Sequence, residues 1–431
     1  MRVEGLNDAY PYELEKNSPE LNKIISWVGK QNATSFLILQ NGKLIVEEYF
    51  NGRKKEDKSD VFSVSKSVTS LLVGIALEKK LVKLDDPISQ YTRPGEHWSK
   101  TTFENEQQIT INNMLNMTSG LDDEMKYVTE PGKRWHYNLG AAWHMLKEVV
   151  QTASGTPLQV IAEHWLFSKL GINPIFKPRS GSSKLYDLIK AYLQNYYKDI
   201  LYSNGLSPVN LSVSILYMMM QKKRSNRLFS FIKSYISMFA MLTIYEAYTT
   251  YRKYYNAREY FKEPTTSLHC SGIDCIKLGQ LVLNNGLNVD TNEQIIDKKY
   301  LDSCKNSNQC INPSYSNMFW LNGKGMHINP TSIFSTVDPP IIHEDLIPSA
   351  PDDLIAFMGY NTQRIYVVPS LNLVVVRQSG EDSDGATAAK SEFDEQLWVL
   401  LMQLFDKIKK KKIITMMNSD NRNNQFLKTK L

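Results

Sequence analysis

Two strand pairs at opposite ends of the chain constrain the fold more than any other feature of the sequence. The segment SFLILQNGKLIVEEYF at 35–50 has strand-like runs on either side of Asn41-Gly42. This dipeptide suits a tight turn, since both residues tolerate positive φ. Near the other end, RIYVVPSLNLVVVRQ sets residues 365–368 against 373–376 around a short turn. This arrangement predicts an antiparallel sheet assembled from the two ends of the chain.

Apolar periodicity predicts a helix beside each strand pair. A short apolar run at 21–28 precedes the first hairpin, and a longer one at 391–408 follows the last strand. The apolar face of the second helix consists of Phe393, Leu397, Leu400, Leu401 and Leu404. With a mostly helical middle, the chain is predicted to have an α+β fold.

The predicted plan is one domain over 1–412. Its sheet part comprises 1–60 and 267–412, the helical part 61–176, and an insertion 177–266. The lysine-rich end, 413–431, is predicted to be a disordered tail.

Composition excludes several classes of protein. The 431 residues are 42% hydrophobic and 22% charged, as in an ordinary globular protein. The net charge of +5 comes without the basic and aromatic pattern of a nucleic-acid module. The polar start, MRVEGLNDAYPYELEKNSPE, has no apolar segment typical of a secretion signal. The protein is therefore expected in the cytoplasm, or its location stays unknown. A missing upstream exon would overturn this expectation.

The four cysteines do not predict a metal site. Cys270, Cys275, Cys304 and Cys310 form C-x4-C and C-x5-C pairs, which lack the close C-x2-C spacing of a structural zinc site. Buried thiols are one interpretation, and a single local disulfide is the other.

Ser63 and Lys66 form a Ser-x-x-Lys pattern at the start of a predicted helix. Apolar residues recur from Val64 to Ala76, and no proline follows until Pro87. A serine at this position either caps free backbone N–H groups or acts as a nucleophile. A lysine three residues later lies on the same face, and a desolvated lysine releases its proton more readily. By itself the pattern is too common to decide between these roles.

The surrounding sequence resembles the β-lactamase-related serine hydrolases. FSVSKSVTSLLVGIALEKKLVKLDDPISQY is similar to the nucleophile helix of that family, and ITINNMLNMTSGLDD to its helix ending in a Thr-Ser-Gly turn. The resemblance continues through EPGKRWHYNLGAAWHMLKEVVQTASGTPLQ and LFSKLGI, then SGIDCIKLGQLVLNNG and FMGYNTQRIYVVPSLNLVVVRQSGE. These blocks cover about 35–176 and 267–405 in the family's order, and ordered blocks are more specific than one short motif.

The resemblance implies the remaining site residues. Tyr137 follows the Pro131-Gly132 turn and matches the family's catalytic tyrosine, which exchanges protons with the serine directly or through Lys66. Leu139 stands where the family has a polar residue, so the contact to a substrate amide is altered and true β-lactamase activity is not expected. The family's inner strand is expected at 359–363, where a backbone N–H would complete an oxyanion hole with Ser63. Candidates are Gly359, Tyr360, Asn361, Thr362 and Gln363. No cofactor and no metal are implied.

The insertion is basic and rich in aromatic residues. Residues 177–266 hold fourteen Lys or Arg against five Asp or Glu, and charges interrupt their apolar runs before a membrane-spanning length is reached. The structural interpretation is a pair of helices packed on the body. The functional interpretations are a lid over the site and peripheral contact with an anionic membrane. A retained intron is a further alternative.

Two functions follow from these observations. The first is a serine hydrolase that cleaves a small ester, amide or peptide through an acyl-enzyme on Ser63. The second is an inactive family member that serves as a binding or scaffold protein, for which Leu139 and the altered 359–363 segment argue.

Overall fold

The computed structural model describes residues 11–92, 98–138, 141–178, 266–307, 309–330, 339–380 and 391–428. The helices are α1 (Pro19–Lys30), α2 (Val64–Glu78), α3 (Phe103–Glu106), α4 (Ile111–Leu115), α5 (Ala141–Ser154), α6 (Leu158–Ala162), α7 (Ser168–Leu170), α8 (Gly272–Leu283), α9 (Lys298–Lys305) and α10 (Glu392–Lys428). The strands are β1 (Ala33–Gln40), β2 (Lys43–Tyr49), β3 (Ser59–Asp60), β4 (Ile175–Pro178), β5 (Thr266–Cys270), β6 (Leu287–Asn288), β7 (Glu293–Gln294), β8 (Tyr315–Ser316), β9 (Phe319–Leu321), β10 (His327–Ile328), β11 (Ile341–Ile342), β12 (Ile355–Gly359), β13 (Gln363–Val368) and β14 (Leu373–Ser379).

The main sheet joins the two ends of the chain, as the sequence predicts. Its order is β2-β1-β14-β13-β12-β9-β8, and every neighbouring pair is antiparallel. Asn41 and Gly42 form the first turn with φ of 51° and 75°, which matches the right-handed twist of the flanking strands. The central contact pairs β1 with β14, so residues more than 300 positions apart share one core. The fold is α+β.

Helices cover both faces of this sheet. α8 packs on β1, β13 and β14, and α1 packs on β1 and α10. Gly279 permits the close packing of α8 on β14, because a Cβ there would lie 2.5 Å from Val374 Cγ1. Side chains alternate along β13, so Ile365 lies on the α8 face, while Arg364 and Tyr366 contact α10. β13 and β14 are therefore buried on both sides.

The helical part begins at α2 and ends at α7. α2 is buried over its first thirteen residues and packs on α5 and β12, so it connects the helical part to the sheet. A small second sheet, β3-β5-β4, fixes the chain just before α2. β4 and β5 pair through Pro178 and Thr266, the two ends of the inserted segment. The insertion therefore joins neighbouring antiparallel strands; its interior, 179–265, lies outside the described residues.

The end of the chain corrects one prediction. Residues 413–431 were predicted to be a disordered tail, but α10 continues to Lys428. The physical reason is that no proline or glycine interrupts the helix after Glu392. Lys409 to Lys412 are exposed on this helix. None of the described helices is long and apolar enough to cross a membrane.

Three of the four cysteines agree with the interpretation as buried thiols, and the fourth does not. Cys270, Cys275 and Cys304 are buried free thiols, and Cys310 is an exposed one. Among the described residues, no group of His, Cys, Asp and Glu is arranged to hold a metal ion.

Candidate active site

Ser63 occupies a sharp turn between β3 and α2. Phe62, directly before it, has φ of 49°, an uncommon value for a bulky residue. The Phe62 N–H donates to Asp60 Oδ1 at 2.7 Å, and the Asp60 carboxylate also accepts from the Ser267 hydroxyl. Contacts from β3 and β5 thus hold the shape of this turn, which leaves Ser63 half-buried at the start of the helix.

The Ser63 hydroxyl does not cap the helix. Ser63 has helical dihedrals, φ −71° and ψ −8°, and its side chain makes no capping hydrogen bond. An N-cap side chain normally accepts from the second or third N–H of the helix. Of the two roles that the sequence left open for Ser63, capping is therefore wrong.

Lys66 lies one helical turn beyond Ser63 and contacts it directly. Lys66 Nζ donates a hydrogen bond to Ser63 Oγ at 3.0 Å. Its side chain is 3% exposed, and Nζ lies 4.9 Å from the centre of the Tyr137 ring. The three residues proposed from the sequence, Ser63, Lys66 and Tyr137, are therefore neighbours.

The Tyr137 phenol is buried beside the serine. Burial raises the pKa of Tyr137 well above its ordinary value, and the nearby Ser63 hydroxyl and the charge of Arg364 offset only part of this increase. The phenol consequently holds its proton at neutral pH.

Aromatic rings fix the position of Tyr137. Its ring stacks on Trp320 at 6.2 Å and meets Tyr315 edge-on at 6.1 Å, with Trp135 completing the cluster. Tyr315 and Trp320 come from the β8–β9 pair at the edge of the main sheet. The sheet and the helical part therefore jointly hold the phenol.

The turn after α4 positions the segment that carries Tyr137. His136 N donates to Met117 O at 2.9 Å, and Gly132 N donates to Thr118 O at 2.8 Å. Gly120 has φ of 76°, and a Cβ there would lie 2.0 Å from Thr129 O. Only glycine allows this approach, which explains the Thr-Ser-Gly turn in physical terms.

Of the two residues that follow Tyr137, the structure describes the first. Asn138 is buried, and its side-chain amide donates to Asp122 O at 3.0 Å. Leu139 lies outside the described residues. His136 Nε2 lies 3.3 Å from an oxygen of Asp123, so this histidine faces an acidic partner.

The 359–363 segment is a hairpin, which corrects the prediction of a single strand. Gly359 ends β12, Gln363 begins β13, and the two residues pair across the turn. Asn361 and Thr362 have φ of 55° and 49°, values that reverse the chain and are incompatible with a continuous strand. We call 359–363 the site hairpin.

The site hairpin lies against the serine turn. A Cβ on Gly359 would lie 2.4 Å from Val61 O and 3.3 Å from the backbone nitrogen of Ser63. At the mouth of the site, the rings of Phe62 and Tyr360 meet edge-on at 5.6 Å. The structure therefore brings the predicted 359–363 segment to Ser63, with Gly359 closest to its backbone.

Each backbone carbonyl of the site hairpin accepts a hydrogen bond: four from side chains outside the hairpin, and one, on Tyr360, from within it. The donors are Arg364 Nη1 to Gly359 O and Gln363 O, Gln363 N to Tyr360 O, Ser379 Oγ to Asn361 O, and Arg377 Nη1 to Thr362 O. Since C=O and N–H point in opposite directions across a trans peptide, tethered carbonyls also orient the N–H groups that follow them.

Arg364 and Asp394 form a buried ion pair that the sequence reasoning missed. Arg364 Nε and Nη2 donate to the two Asp394 carboxylate oxygens at 2.8 and 3.1 Å, and both side chains are fully buried. Tyr366 also donates to this carboxylate. A charged residue at the start of the apolar run IYVV was the available signal, because a charge on a core strand requires a partner.

Part of the chain is similar to a known protein family. Residues 26–181 match the model of the Beta-lactamase family. This match covers little more than a third of the 431 residues. No curated protein sequence matches it significantly.

Solved structures extend the β-lactamase-related likeness to nearly the whole chain at the level of fold. One is assigned as a beta-lactamase from Bacteroides dorei, with 13% identity, TM-score 0.54, and coverage of 92% of this chain and 100% of that one. A second, assigned as a 6-aminohexanoate-dimer hydrolase from Bacillus anthracis, has 14% identity, TM-score 0.53, and coverage of 95% and 87%. The third is a penicillin binding protein from Bacillus halodurans, with 12% identity, TM-score 0.51, and coverage of 89% and 99%.

Proposed function

We propose that this protein is a serine hydrolase that cleaves an ester or amide through an acyl-enzyme on Ser63. The observation that carries the proposal is the position of Lys66 between the other two residues: its Nζ donates to the Ser63 hydroxyl at 3.0 Å and lies 4.9 Å from the centre of the Tyr137 ring. A nucleophile within hydrogen-bonding reach of a base, beside a third group that can carry a proton, is the arrangement that nucleophilic catalysis needs.

The proton roles follow from burial. Lys66 is almost completely buried, and desolvation disfavours the charged ammonium. A neutral amine accepts the Ser63 proton as Oγ bonds to the substrate carbonyl carbon. Tyr137 keeps its proton at neutral pH because burial raises its pKa, so the phenol is suited to protonate the leaving group. The proton on Lys66 then restores the phenol, and water releases the acyl group by the reverse sequence.

Two backbone N–H groups are proposed to hold the oxyanion, those of Ser63 and Tyr360. The Gly359 carbonyl is tethered to Arg364 on the α10 side of the sheet, so the N–H of Tyr360 points to the opposite side. Gly359 lies against Ser63 on that side. Oriented N–H donors commonly contribute 10²–10³ in rate, or about 3–4 kcal/mol.

Reaction with a fluorophosphonate probe tests this function. Purified wild type and Ser63→Ala are compared by intact mass after labelling and by turnover of a short-chain p-nitrophenyl ester. Ser67→Ala is the matched control, because this buried hydroxyl lies on the same helix but donates to Met318 O. We expect one adduct on wild type and on Ser67→Ala, and none on Ser63→Ala.

A folded wild type without adduct or turnover would overturn the proposal and favour the binding or scaffold alternative. The substrate screen should include linear amides beside esters, since one structural neighbour is assigned as a 6-aminohexanoate-dimer hydrolase.

A further inference from the structure

The buried ion pair between Arg364 and Asp394 needs an explanation other than stability. Both side chains are at most 1% exposed. Removing two charges from water is energetically costly, and replacing such a pair by apolar residues is often neutral or stabilising. A buried pair on the central strand of the sheet therefore points to another role for at least one of its members.

The contacts of Arg364 beyond Asp394 indicate that role. While Nε and Nη2 bind the carboxylate, Nη1 donates to Gly359 O at 2.7 Å and to Gln363 O at 3.1 Å. These two carbonyls belong to the residues that close the site hairpin. One planar group thus binds a carboxylate on one edge and the hairpin on the other, which a lysine does not reproduce because it lacks the rigid fork.

Asp394 ties this arrangement to the start of α10. Its carboxylate also accepts from the Tyr366 hydroxyl, and from Ser391 N and Oγ at 2.5 and 2.9 Å. The Asp394 carboxylate is therefore fixed by several hydrogen bonds, and it fixes the orientation of the Arg364 guanidinium relative to the site hairpin.

The hydrogen bond from Arg364 to the Gly359 carbonyl affects the site because Arg364 and the serine turn lie on opposite faces of the sheet. Arg364 lies on the α10 face, whereas Gly359 contacts the serine turn on the opposite face. Binding the Gly359 carbonyl on the first face turns the following N–H, that of Tyr360, to the second face, where Ser63 lies.

We propose that Arg364 is a positioning residue: anchored by Asp394, it holds the Gly359–Tyr360 peptide so that the Tyr360 N–H faces the reacting carbonyl at Ser63. This inference rests on the proposed function, because it assigns Arg364 to the oxyanion hole of that reaction.

Kinetics of three variants test the proposal. Arg364→Lys keeps a charge but loses the fork, and the double variant Arg364→Met/Asp394→Leu removes the pair without leaving an unpaired charge. Ser349→Ala is the matched control, since it removes a side-chain hydrogen bond to Glu395, next to Asp394 on the same helix, but no contact of Arg364 or Asp394. The assays measure kcat and KM for a p-nitrophenyl ester, and inhibition by an aryl trifluoromethyl ketone, whose adduct with Ser63 carries an oxyanion.

We expect both Arg364 variants to lose about 10²-fold in kcat with little change in KM, since an oxyanion donor acts in the transition state. Trifluoromethyl ketone affinity should fall by a similar factor, and Ser349→Ala should stay within about threefold of wild type. A folded Arg364→Lys with wild-type kcat and ketone affinity overturns the proposal. Failure of the wild type to turn over any ester is a different result, because it overturns the proposed function itself.

A measurement on the wild type covers the case in which neither Arg364 variant folds. Protein labelled with ¹⁵N-tyrosine is compared by NMR before and after fluorophosphonate modification of Ser63, with Tyr360→Phe assigning the Tyr360 amide. We expect the Tyr360 N–H to shift downfield as it donates to the phosphonyl oxygen. An unmoved resonance in a fully modified protein overturns the proposal.

Discussion

Gly359 faces the backbone nitrogen of Ser63 so closely that no side chain fits between them. A Cβ on Gly359 would lie 2.4 Å from Val61 O, far below van der Waals contact, and 3.3 Å from Ser63 N. Gly359→Ala must therefore displace the serine turn or the site hairpin. Misplacement by about 1 Å at a reacting centre costs about 10²-fold in rate. We expect Gly359→Ala to lower kcat/KM for a short-chain ester by at least about tenfold.

Gly380→Ala is the control for this prediction. A Cβ on Gly380 would lie 3.9 Å from its nearest neighbours, an ordinary contact, so this variant should retain wild-type kcat/KM. Circular dichroism and thermal unfolding establish that both variants fold. Wild-type kcat/KM in folded Gly359→Ala would contradict a role for this close approach.

Tyr137→Phe should affect amide substrates more than activated esters. The phenol is proposed to protonate the leaving group, and a p-nitrophenolate departs without that proton whereas an amine does not. We expect kcat to fall by about 10²–10⁴ for an amide, and by a clearly smaller factor for the p-nitrophenyl ester. Equal losses for both substrates would instead indicate that Tyr137 acts in attack by Ser63.

The pH dependence of the wild type gives an independent check of the same role. Burial raises the pKa of Tyr137 above its ordinary value of about 10. Deprotonation of the phenol should therefore cause no loss of kcat/KM between about pH 7 and pH 9. An alkaline loss in that range that disappears in Tyr137→Phe would contradict the protonated phenol.

The Arg364–Asp394 pair should make the protein sensitive to acid. Burial alone would raise the pKa of Asp394, but the charge and hydrogen bonds of Arg364 and the Tyr366 hydroxyl outweigh it and hold the pKa below its usual range. A depressed carboxyl pKa contributes stability that is fully present above the unfolded value of about 3.9 and is lost as pH falls through the lower folded value. We expect the free energy of unfolding to decrease below about pH 4.

Urea unfolding across this pH range checks the prediction. The double variant Arg364→Met/Asp394→Leu should show a weaker decrease below pH 4, because its core holds no carboxylate to protonate at this position. The same acid dependence in both proteins would assign the loss of stability to other carboxylates.

The fold was predictable where the signals are local. The Asn41-Gly42 turn and the apolar runs of β13 and β14 specify hairpins by short-range rules, and two hairpins near opposite ends leave few ways to build one sheet. The length of α10 was not predicted, because high polarity after Lys412 is compatible with both a solvated helix and a disordered tail. The interior of the insertion, 179–265, lies outside the described residues, so its roles at the membrane or as a lid stay predictions.

The site residues also differ in whether local sequence is enough to predict their positions. Ser63 and Lys66 are one helical turn apart, so their contact follows from helix geometry alone. The positions of Tyr137 and the site hairpin depend on contacts over long sequence separations, and only the family resemblance indicated them. The role of Arg364 was not predicted, because it depends on an ion pair with Asp394, which lies thirty residues later on a different element.

Thiol reactivity should distinguish Cys310 from the other three cysteines. Cys310 is exposed, while Cys270, Cys275 and Cys304 are buried, and burial raises the pKa of Cys304 to about 12 and that of Cys270 well above its usual range. Because the thiolate is the reactive form, native protein at pH 7 should react with one equivalent of N-ethylmaleimide, and denatured protein with four. Intact mass and peptide mapping count and locate the adducts, and Cys310→Ser should take up none in the native state. Rapid native labelling of Cys270 or Cys275 would mean that the start of α8 opens, and with it the sheet contact on which the serine turn rests.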